Sequence, residues 1–197
     1  MKLQTDAIGL VTLILILLGW FVFAFIFLFR KKPPHGEETK RATVSRWGIF
    51  LQFFSFAFVW SLPRSSWWPV RPSLPGELGL ATVAVLLTYA SCLLCLWAMQ
   101  TLGKQWTFEA RVIEGHELIT QGPYALVRNP IYLGMFGLIV GTGLAFSRWY
   151  TLLAAVVFFL VGNSIRIRAE ENLLREAFGS QFDDYARRVP AFLPRLF

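Results

Sequence analysis

The sequence predicts an all-α fold, a polytopic membrane helical bundle of about five transmembrane helices. With 55% hydrophobic and only 16% charged residues among 197, the chain has too little polar surface for a soluble domain of this size. Residues 7–29 carry no charge and are long enough to cross a hydrocarbon layer of roughly 30 Å. Because this run ends in basic residues and not at a small-residue cleavage site, we expect a retained helix and not a signal peptide.

Four more apolar segments follow, at 47–62, 78–102, 131–146 and 149–165. The first of these is short for a full span, whereas the second is ample. The last two are separated only by Ser147 and Arg148, which predicts a tight helical hairpin.

The distribution of basic residues predicts how these helices cross the membrane. Segments 30–46, 103–129 and 166–197 hold fifteen of the nineteen Lys and Arg residues. Since cytoplasmic connections carry the excess of Lys and Arg, we expect the N-terminus outside and the C-terminus in the cytoplasm. The net charge of +7 then reflects one membrane face and its anionic lipids, and no nucleic-acid partner is predicted. KKPPHGEETKR, residues 31–41, is interpreted as a flexible linker.

Two patterns that look like functional motifs are better explained by helix packing. Cys92 and Cys95 form a CxxC inside the third apolar segment, where a redox or zinc pair would lack water and further ligands, so no metal site is predicted. GTGLAF at 141–146 begins like a dinucleotide loop but lies within an apolar span. We expect Gly137 and Gly141 to let neighbouring helices approach closely.

Polar residues concentrate in two stretches on the predicted cytoplasmic side, EARVIEGHELITQGPYALVRNPIY and NSIRIRAEENLLREAFGSQFDDYARRVPAFLP, which we expect to meet. Pro123 and Pro130 interrupt a helix in the first stretch, because each removes a backbone donor and restricts the residue before it. Arg166 and Glu170 are four residues apart, so a continuous fifth helix would place them on one face. This pattern fits a site at the membrane surface, with an ordinary ion pair on a solvated helix as the alternative.

Several spaced elements in these stretches resemble a known superfamily: GPY at 122–124, RNPIY at 128–132, EE at 170–171, FGSQFDDY at 178–185 and VP at 189–190. Together they are similar to the C-terminal signature of the isoprenylcysteine carboxyl methyltransferase and phospholipid methyltransferase superfamily of integral membrane enzymes. The resemblance covers roughly residues 103–194. The apolar segments predict N-terminal transmembrane helices 1–3 in residues 1–102. The resemblance implies a C-terminal methyltransferase core in residues 103–197, with helices 4–5, a cytoplasmic tail and a cytoplasmic cofactor pocket.

The resemblance also implies S-adenosylmethionine as the methyl donor. Its ammonium requires a carboxylate, its carboxylate requires donors, and its adenine requires apolar walls. The family's cofactor contacts fall on Glu109, His116, Glu117, Leu118, Ile119, Tyr124, Asn129, Pro130, Ile131, Tyr132 and Glu170. Arg166 corresponds to an arginine near the acceptor, where a guanidinium can hold carboxylate or phosphate oxygens. From the residues alone, a surface-loop histidine at 116 and interfacial tyrosines at 124 and 132 remain alternatives.

Two positions depart from the superfamily pattern. Phe182 fills the first tyrosine position of the FGxxYxxY element, and Asn129 stands where the superfamily has a histidine before proline. An amide still forms hydrogen bonds but does not titrate, so a proton-acceptor role at this position is excluded, whereas a hydrogen bond to the cofactor is not.

The expected reaction is S-adenosylmethionine-dependent methyl transfer to a lipophilic small-molecule or lipid-anchored substrate among the membrane lipids. A carboxylate is already ionised at neutral pH, whereas an amine must first lose a proton, and the nearby bases are assigned to the cofactor. This favours an isoprenylcysteine-type carboxylate, or a related small hydrophobic carboxylate or thiol. The alternatives are a phospholipid amine N-methyltransferase, an NADPH-dependent steroid or sterol-type membrane reductase, and a non-enzymatic membrane scaffold.

Overall fold

The residues that the structure describes form a bundle of long helices with one short pair of strands. A computed structural model describes residues 7–28, 38–41, 45–61, 74–103, 111–113 and 117–193. They form α1 (Ala7–Leu28), β1 (Glu38–Arg41), α2 (Ser45–Ser61), α3 (Leu74–Leu102), β2 (Arg111–Ile113), α4 (Pro130–Phe146), α5 (Trp149–Phe178) and α6 (Ser180–Arg188). A 3-10 turn, Gly122–Ala125, precedes α4. The predicted helical membrane bundle is confirmed.

Three of the helices, α1, α3 and α5, are long and apolar enough to cross a membrane. Large apolar side chains such as Phe21, Phe53 and Leu93 are exposed on the outside of the bundle, which is typical of helices that face lipid. Helices α2 and α4 have 17 residues each, or about 25 Å at the α-helical rise. For these two shorter helices, a complete crossing stays a prediction.

Helices α2 and α5 pack antiparallel through small residues. A Cβ on Gly48 would lie 2.6 Å from the carbonyl oxygen of Gly162, and a Cβ on Gly162 would lie 2.8 Å from the carbonyl oxygen of Gly48. About two turns further along α2, the Ser55 hydroxyl donates to the carbonyl of Ala155 at 2.6 Å. Because the backbones approach so closely, α2 lies directly against the face of α5 that carries Arg166.

Helices α3 and α4 form a second close contact, which confirms the predicted role of the glycines in α4. A Cβ on Gly137 would lie 2.2 Å from Ser91 Oγ. On the same side of the bundle, the thiols of Cys92 and Cys95 are buried and lie 3.3 and 3.6 Å from backbone carbonyl oxygens of neighbouring segments. The CxxC therefore packs between helices, as expected.

The strand pair was not predicted. Residues 38–41 form β1 and pair antiparallel with β2, with Glu38 opposite Ile113 and Arg41 opposite Arg111. A short charged strand has no apolar alternation to reveal it, and its partner lies far along the chain. The linker prediction is therefore wrong for these four residues.

Helix α5 begins directly after Ser147 and Arg148, which confirms the hairpin, and continues past the predicted segment 149–165 to Phe178. Gly179 then adopts φ +53° and ψ −126°, a conformation that residues with a Cβ rarely adopt, and the chain turns into α6. Pro130 is the first residue of α4, where its missing N–H is not needed. The start of α4, the end of α5 and the start of α2 thus meet at one end of the bundle.

Candidate functional site

A buried polar cluster lies where α2, α4 and α5 converge. It consists of Gln52, Tyr132, Arg166 and Glu170, and is called the polar cluster below. Gln52 is 2% exposed and Tyr132 is 7% exposed. The side chains of Arg166 and Glu170 are 9% and 25% exposed. The four-residue spacing on α5 places Arg166 beside Glu170, as predicted, and the close contact between α2 and α5 adds Gln52.

Glu170 is the centre of the polar cluster. Its Oε1 accepts hydrogen bonds from Arg166 NH2 at 3.3 Å and from the Tyr132 hydroxyl. The guanidinium also lies over the Tyr132 ring, with Cζ 4.9 Å from the ring centroid, in a cation–π contact. Among the described residues, no donor bonds to Oε2 of Glu170. One oxygen of this carboxylate is therefore not engaged by the described residues.

Gln52 completes the cluster from α2. Its Oε1 accepts a hydrogen bond from Arg166 NH1 at 3.1 Å. This contact fixes the orientation of the amide, because a flipped amide would place two donors face to face. The Nε2 group is then buried without an acceptor among the described residues, an arrangement that costs roughly 1–3 kcal/mol when nothing compensates it. Sequence analysis missed Gln52, although a single amide within apolar segment 47–62 was a signal that could have identified it.

A second ion pair, Arg128 with Glu171, lies beside the polar cluster and has a structural use. Arg128 binds both carboxylate oxygens, from Nε at 2.9 Å and from NH2 at 3.0 Å. Its NH1 group donates to the carbonyls of Ala186 and Val189. One guanidinium therefore fixes the start of α4 to α5 and to the end of α6.

Further hydrogen bonds join the two polar stretches, which confirms that they meet. Asn129 Nδ2 donates to the carbonyl of Ala191 at 2.8 Å, and the Tyr185 hydroxyl donates to the carbonyl of Tyr124 at 2.7 Å. Burial raises the pKa of Tyr185 well above its ordinary value, and the positive charge of Arg128 opposes this only in part. The Tyr185 hydroxyl thus stays protonated and can hold the 3-10 turn in place.

The other predicted cofactor contacts lie in the segment before α4 and at its start. Glu117 is exposed, Tyr124 and Pro130 are buried, and Leu118, Ile119, Asn129 and Ile131 are half-buried. Glu109 and His116 lie outside the described side chains. The structure thus brings Tyr132, Arg166 and Glu170 into mutual contact. For the remaining positions, a cofactor contact stays a prediction.

Fold and site together define a class: an integral membrane protein with a polar site at one end of an apolar helical bundle. Residues 80–181, slightly more than half of the chain, match the phospholipid methyltransferase family. The chain belongs to this family, and the superfamily inferred from its signature is confirmed. The matched region contains Tyr132, Arg166 and Glu170, whereas Gln52 lies before it.

Curated relatives match mainly the same half of the chain. The nickel-cobalt-cadmium resistance protein NccN of Alcaligenes xylosoxydans xylosoxydans is 46% identical over 103 residues, which are 50% of this chain and 46% of that protein. Protein-S-isoprenylcysteine O-methyltransferase B of Arabidopsis thaliana is 34% identical over 99 residues, 49% of this chain and 50% of that protein. Protein-S-isoprenylcysteine O-methyltransferase of Saccharomyces cerevisiae is 27% identical over 191 residues, 92% of this chain and 78% of that protein. The chain thus spans about half the length of the first two.

Proposed function

We propose that this protein transfers a methyl group from S-adenosylmethionine to a lipophilic carboxylate or thiolate at the membrane, of the isoprenylcysteine type. The observation that carries the proposal is the polar cluster, a buried arginine and carboxylate at the end of an apolar bundle, in a chain that belongs to the phospholipid methyltransferase family. Relatives named protein-S-isoprenylcysteine O-methyltransferase support this choice of acceptor.

The chemistry of the cluster fits the proposed methyl donor. Glu170 keeps Oε2 for an ammonium or hydroxyl group, and the buried rings of Tyr124 and Tyr132 offer aromatic walls. Exposed and half-buried residues of the segment 117–119 lie before these tyrosines on the chain, where backbone groups can bind a carboxylate. When bound, S-adenosylmethionine supplies a methyl group on a sulfonium, which is open to direct displacement by a nucleophile.

For this reaction the chain needs to align two reactants and exclude water, which can lower the barrier without a dedicated base. Arg166 serves the acceptor side. Its guanidinium is held between Gln52 and Glu170 and is fixed over Tyr132, so its orientation is set before any ligand arrives. A fixed guanidinium attracts a carboxylate or thiolate and repels an ammonium.

A phospholipid amine is the second candidate acceptor, because the matched family is described as phospholipid methyltransferase. An amine must be neutral before it attacks, and a buried cation nearby lowers its proton affinity. Arg166 could therefore assist an amine in this way, although it would also weaken binding of the protonated form. A methyl-transfer assay with each acceptor distinguishes the two candidates.

Calorimetry of the detergent-purified protein with S-adenosylhomocysteine and with NADPH tests the proposal. We expect S-adenosylhomocysteine to bind and NADPH not to bind. The opposite result would favour the reductase alternative, and binding of neither would favour the scaffold. Methyl transfer from labelled S-adenosylmethionine to N-acetyl-S-farnesylcysteine should then exceed transfer to phosphatidylethanolamine, whereas the reverse order would favour the amine acceptor.

We also propose that the polar cluster opens to the cytoplasm, with the N-terminus outside. The segments that flank the cluster share the excess of Lys and Arg. Gln121 and Ser180 are both exposed, so single cysteines at these positions can be labelled with a membrane-impermeant maleimide. Labelling in sealed inside-out vesicles but not in intact cells supports the orientation, and labelling of both in intact cells overturns it.

A further inference from the structure

The amide of Gln52 is a deeply buried group of the cluster whose hydrogen bonding is incomplete. Its side chain is almost fully buried, and its Oε1 is used by Arg166. The Nε2 group of the same amide meets no acceptor among the described residues. Since buried donors are nearly always bonded in folded proteins, an unused one that is fixed in direction indicates a ligand.

Incomplete hydrogen bonding does not extend along the whole buried face of α2. The hydroxyl of Ser55, about one turn further along, donates a hydrogen bond to the carbonyl of Ala155. Ser45, about two turns before Gln52, is also buried, and its Oγ has no partner among the described residues. Gly48 lies between Ser45 and Gln52, against Arg166. The two buried groups of α2 that lack a partner among the described residues, Ser45 Oγ and Gln52 Nε2, thus both lie in its first half.

We propose that Gln52 Nε2 donates a hydrogen bond to an anionic oxygen of the methyl acceptor, so that Gln52 and Arg166 form two sides of a carboxylate-binding site. This inference rests on the proposed function. A carboxylate offers acceptors only, which matches an amide N–H on one side and a guanidinium on the other. An ammonium brings donors and a positive charge, which neither group can accept.

The arrangement also separates the two substrates. Arg166 NH1 faces Gln52, whereas NH2 faces Glu170. The acceptor therefore lies on the α2 side of the guanidinium and the methyl donor on the side of Glu170 and Tyr132. Gln52 lies outside the family match at 80–181, so this proposed acceptor contact comes from a helix that precedes the matched region.

Gln52→Glu tests this role, because it removes the donor but keeps an oxygen that can accept from Arg166. Calorimetry with the S-adenosylhomocysteine-loaded protein would compare N-acetyl-S-farnesylcysteine with its carboxamide. We expect affinity for the carboxylate to fall at least about tenfold, because a hydrogen bond to a charged group is lost and a like charge is added. Affinity for the carboxamide should fall much less, because its N–H can donate to the new glutamate.

A purely positioning role gives a different result. If the Gln52 side chain does not lie beside the acceptor, Gln52→Glu should leave carboxylate affinity unchanged, and this outcome overturns the proposal. Gln52→Met, which loses both contacts, provides a second variant, and it should weaken the carboxylate more than the carboxamide. If it weakens both ligands equally, the direct contact is excluded. Ser55→Ala is the matched control on the same helix face and should change neither affinity.

Failure of this inference can be told apart from failure of the proposed function. If wild-type protein binds S-adenosylhomocysteine and methylates the farnesylcysteine probe, the proposed function stands whatever Gln52→Glu does. If wild-type protein binds neither ligand, the proposed function fails, and the inference about Gln52 fails with it. Affinity for S-adenosylhomocysteine should be the same in Gln52→Glu and wild type, since the donor lies on the other side of Arg166.

Discussion

Two neighbouring ion pairs in this protein use the same residue types for different purposes. Arg128 and Glu171 bind each other through both carboxylate oxygens, and Arg128 also binds two backbone carbonyls. Arg166 and Glu170 share one contact at 3.3 Å, and Oε2 of Glu170 has no donor among the described residues. The two glutamates are adjacent in sequence, yet the described residues engage both oxygens of Glu171 and one oxygen of Glu170. Saturation of hydrogen bonds, more than charge, is what differs between the two pairs.

The largest effect should come from breaking the structural pair. Arg128→Met leaves Glu171 largely buried without its cation and leaves two carbonyls without a donor, so we expect a loss of about 3–5 kcal/mol in free energy of unfolding. Denaturant unfolding in detergent, followed by circular dichroism, measures this. The control is Arg175→Met, because Arg175 pairs with Asp183 at a half-exposed position and should cost at most about 1 kcal/mol. Equal losses in both variants would contradict the structural role of Arg128.

Arg166→Lys should change turnover and not the free energy of unfolding. A lysine keeps the charge but cannot contact Gln52 and Glu170 from one planar group, so the acceptor is misaligned. We expect turnover with a lipophilic acceptor to fall roughly tenfold to a hundredfold, while S-adenosylhomocysteine affinity persists. Arg168→Lys, exposed on the same helix, is the matched control and should be silent. If the affinity falls and turnover per bound donor does not, Arg166 supports Glu170 only; if neither changes, Arg166 does not belong to the site.

A smaller effect on stability is expected from the hydrogen bond between the Tyr185 hydroxyl and the Tyr124 carbonyl, because both groups are neutral. Tyr185→Phe removes the donor to the Tyr124 carbonyl and should cost about 1 kcal/mol in free energy of unfolding. Tyr150→Phe, at an exposed position, should cost less. A loss no larger than in Tyr150→Phe would show that the bond does not stabilise the 3-10 turn.

The same residue gives a pH dependence with a defined sign. The pKa of Tyr185 is raised in the folded protein, so the folded state holds the phenolic proton more tightly than the unfolded chain. Its contribution to stability is therefore complete below the ordinary tyrosine pKa of about 10 and declines as the pH rises above it. We expect Tyr185→Phe to flatten this alkaline decline in unfolding experiments. An unchanged slope would show that Tyr185 is not linked to folding.

Local spacing explains what the sequence could predict. The hairpin of α4 and α5 follows from two apolar runs separated by Ser147 and Arg148, and the contact of Arg166 with Glu170 follows from the helical repeat. The glycine contacts of α4 were predicted because small residues at helical spacing in an apolar segment have few other uses.

Long-range contacts explain what it could not predict. Arg128 and Glu171 are 43 residues apart, and Gln52 and Arg166 are 114 residues apart, so no periodicity connects either pair. Glu170 and Glu171 were noted together as one element of the signature. Their different hydrogen bonding depends on which face of α5 each occupies and on what packs there. The pairing of β1 with β2 is also a contact between segments that lie far apart in sequence.

The contrast between the two pairs is tested most directly by measuring S-adenosylhomocysteine affinity by calorimetry in Glu170→Gln and Glu171→Gln, with denaturant unfolding of the same samples. We predict that Glu170→Gln loses about 1.5–3 kcal/mol of binding free energy, or roughly tenfold to a hundredfold in affinity, with little change in stability. Glu171→Gln should keep its affinity and lose stability, because Arg128 loses a charged partner. Unaltered affinity in Glu170→Gln, or an equal loss of affinity in both variants, would contradict the proposal that Glu170 binds the methyl donor and Glu171 does not.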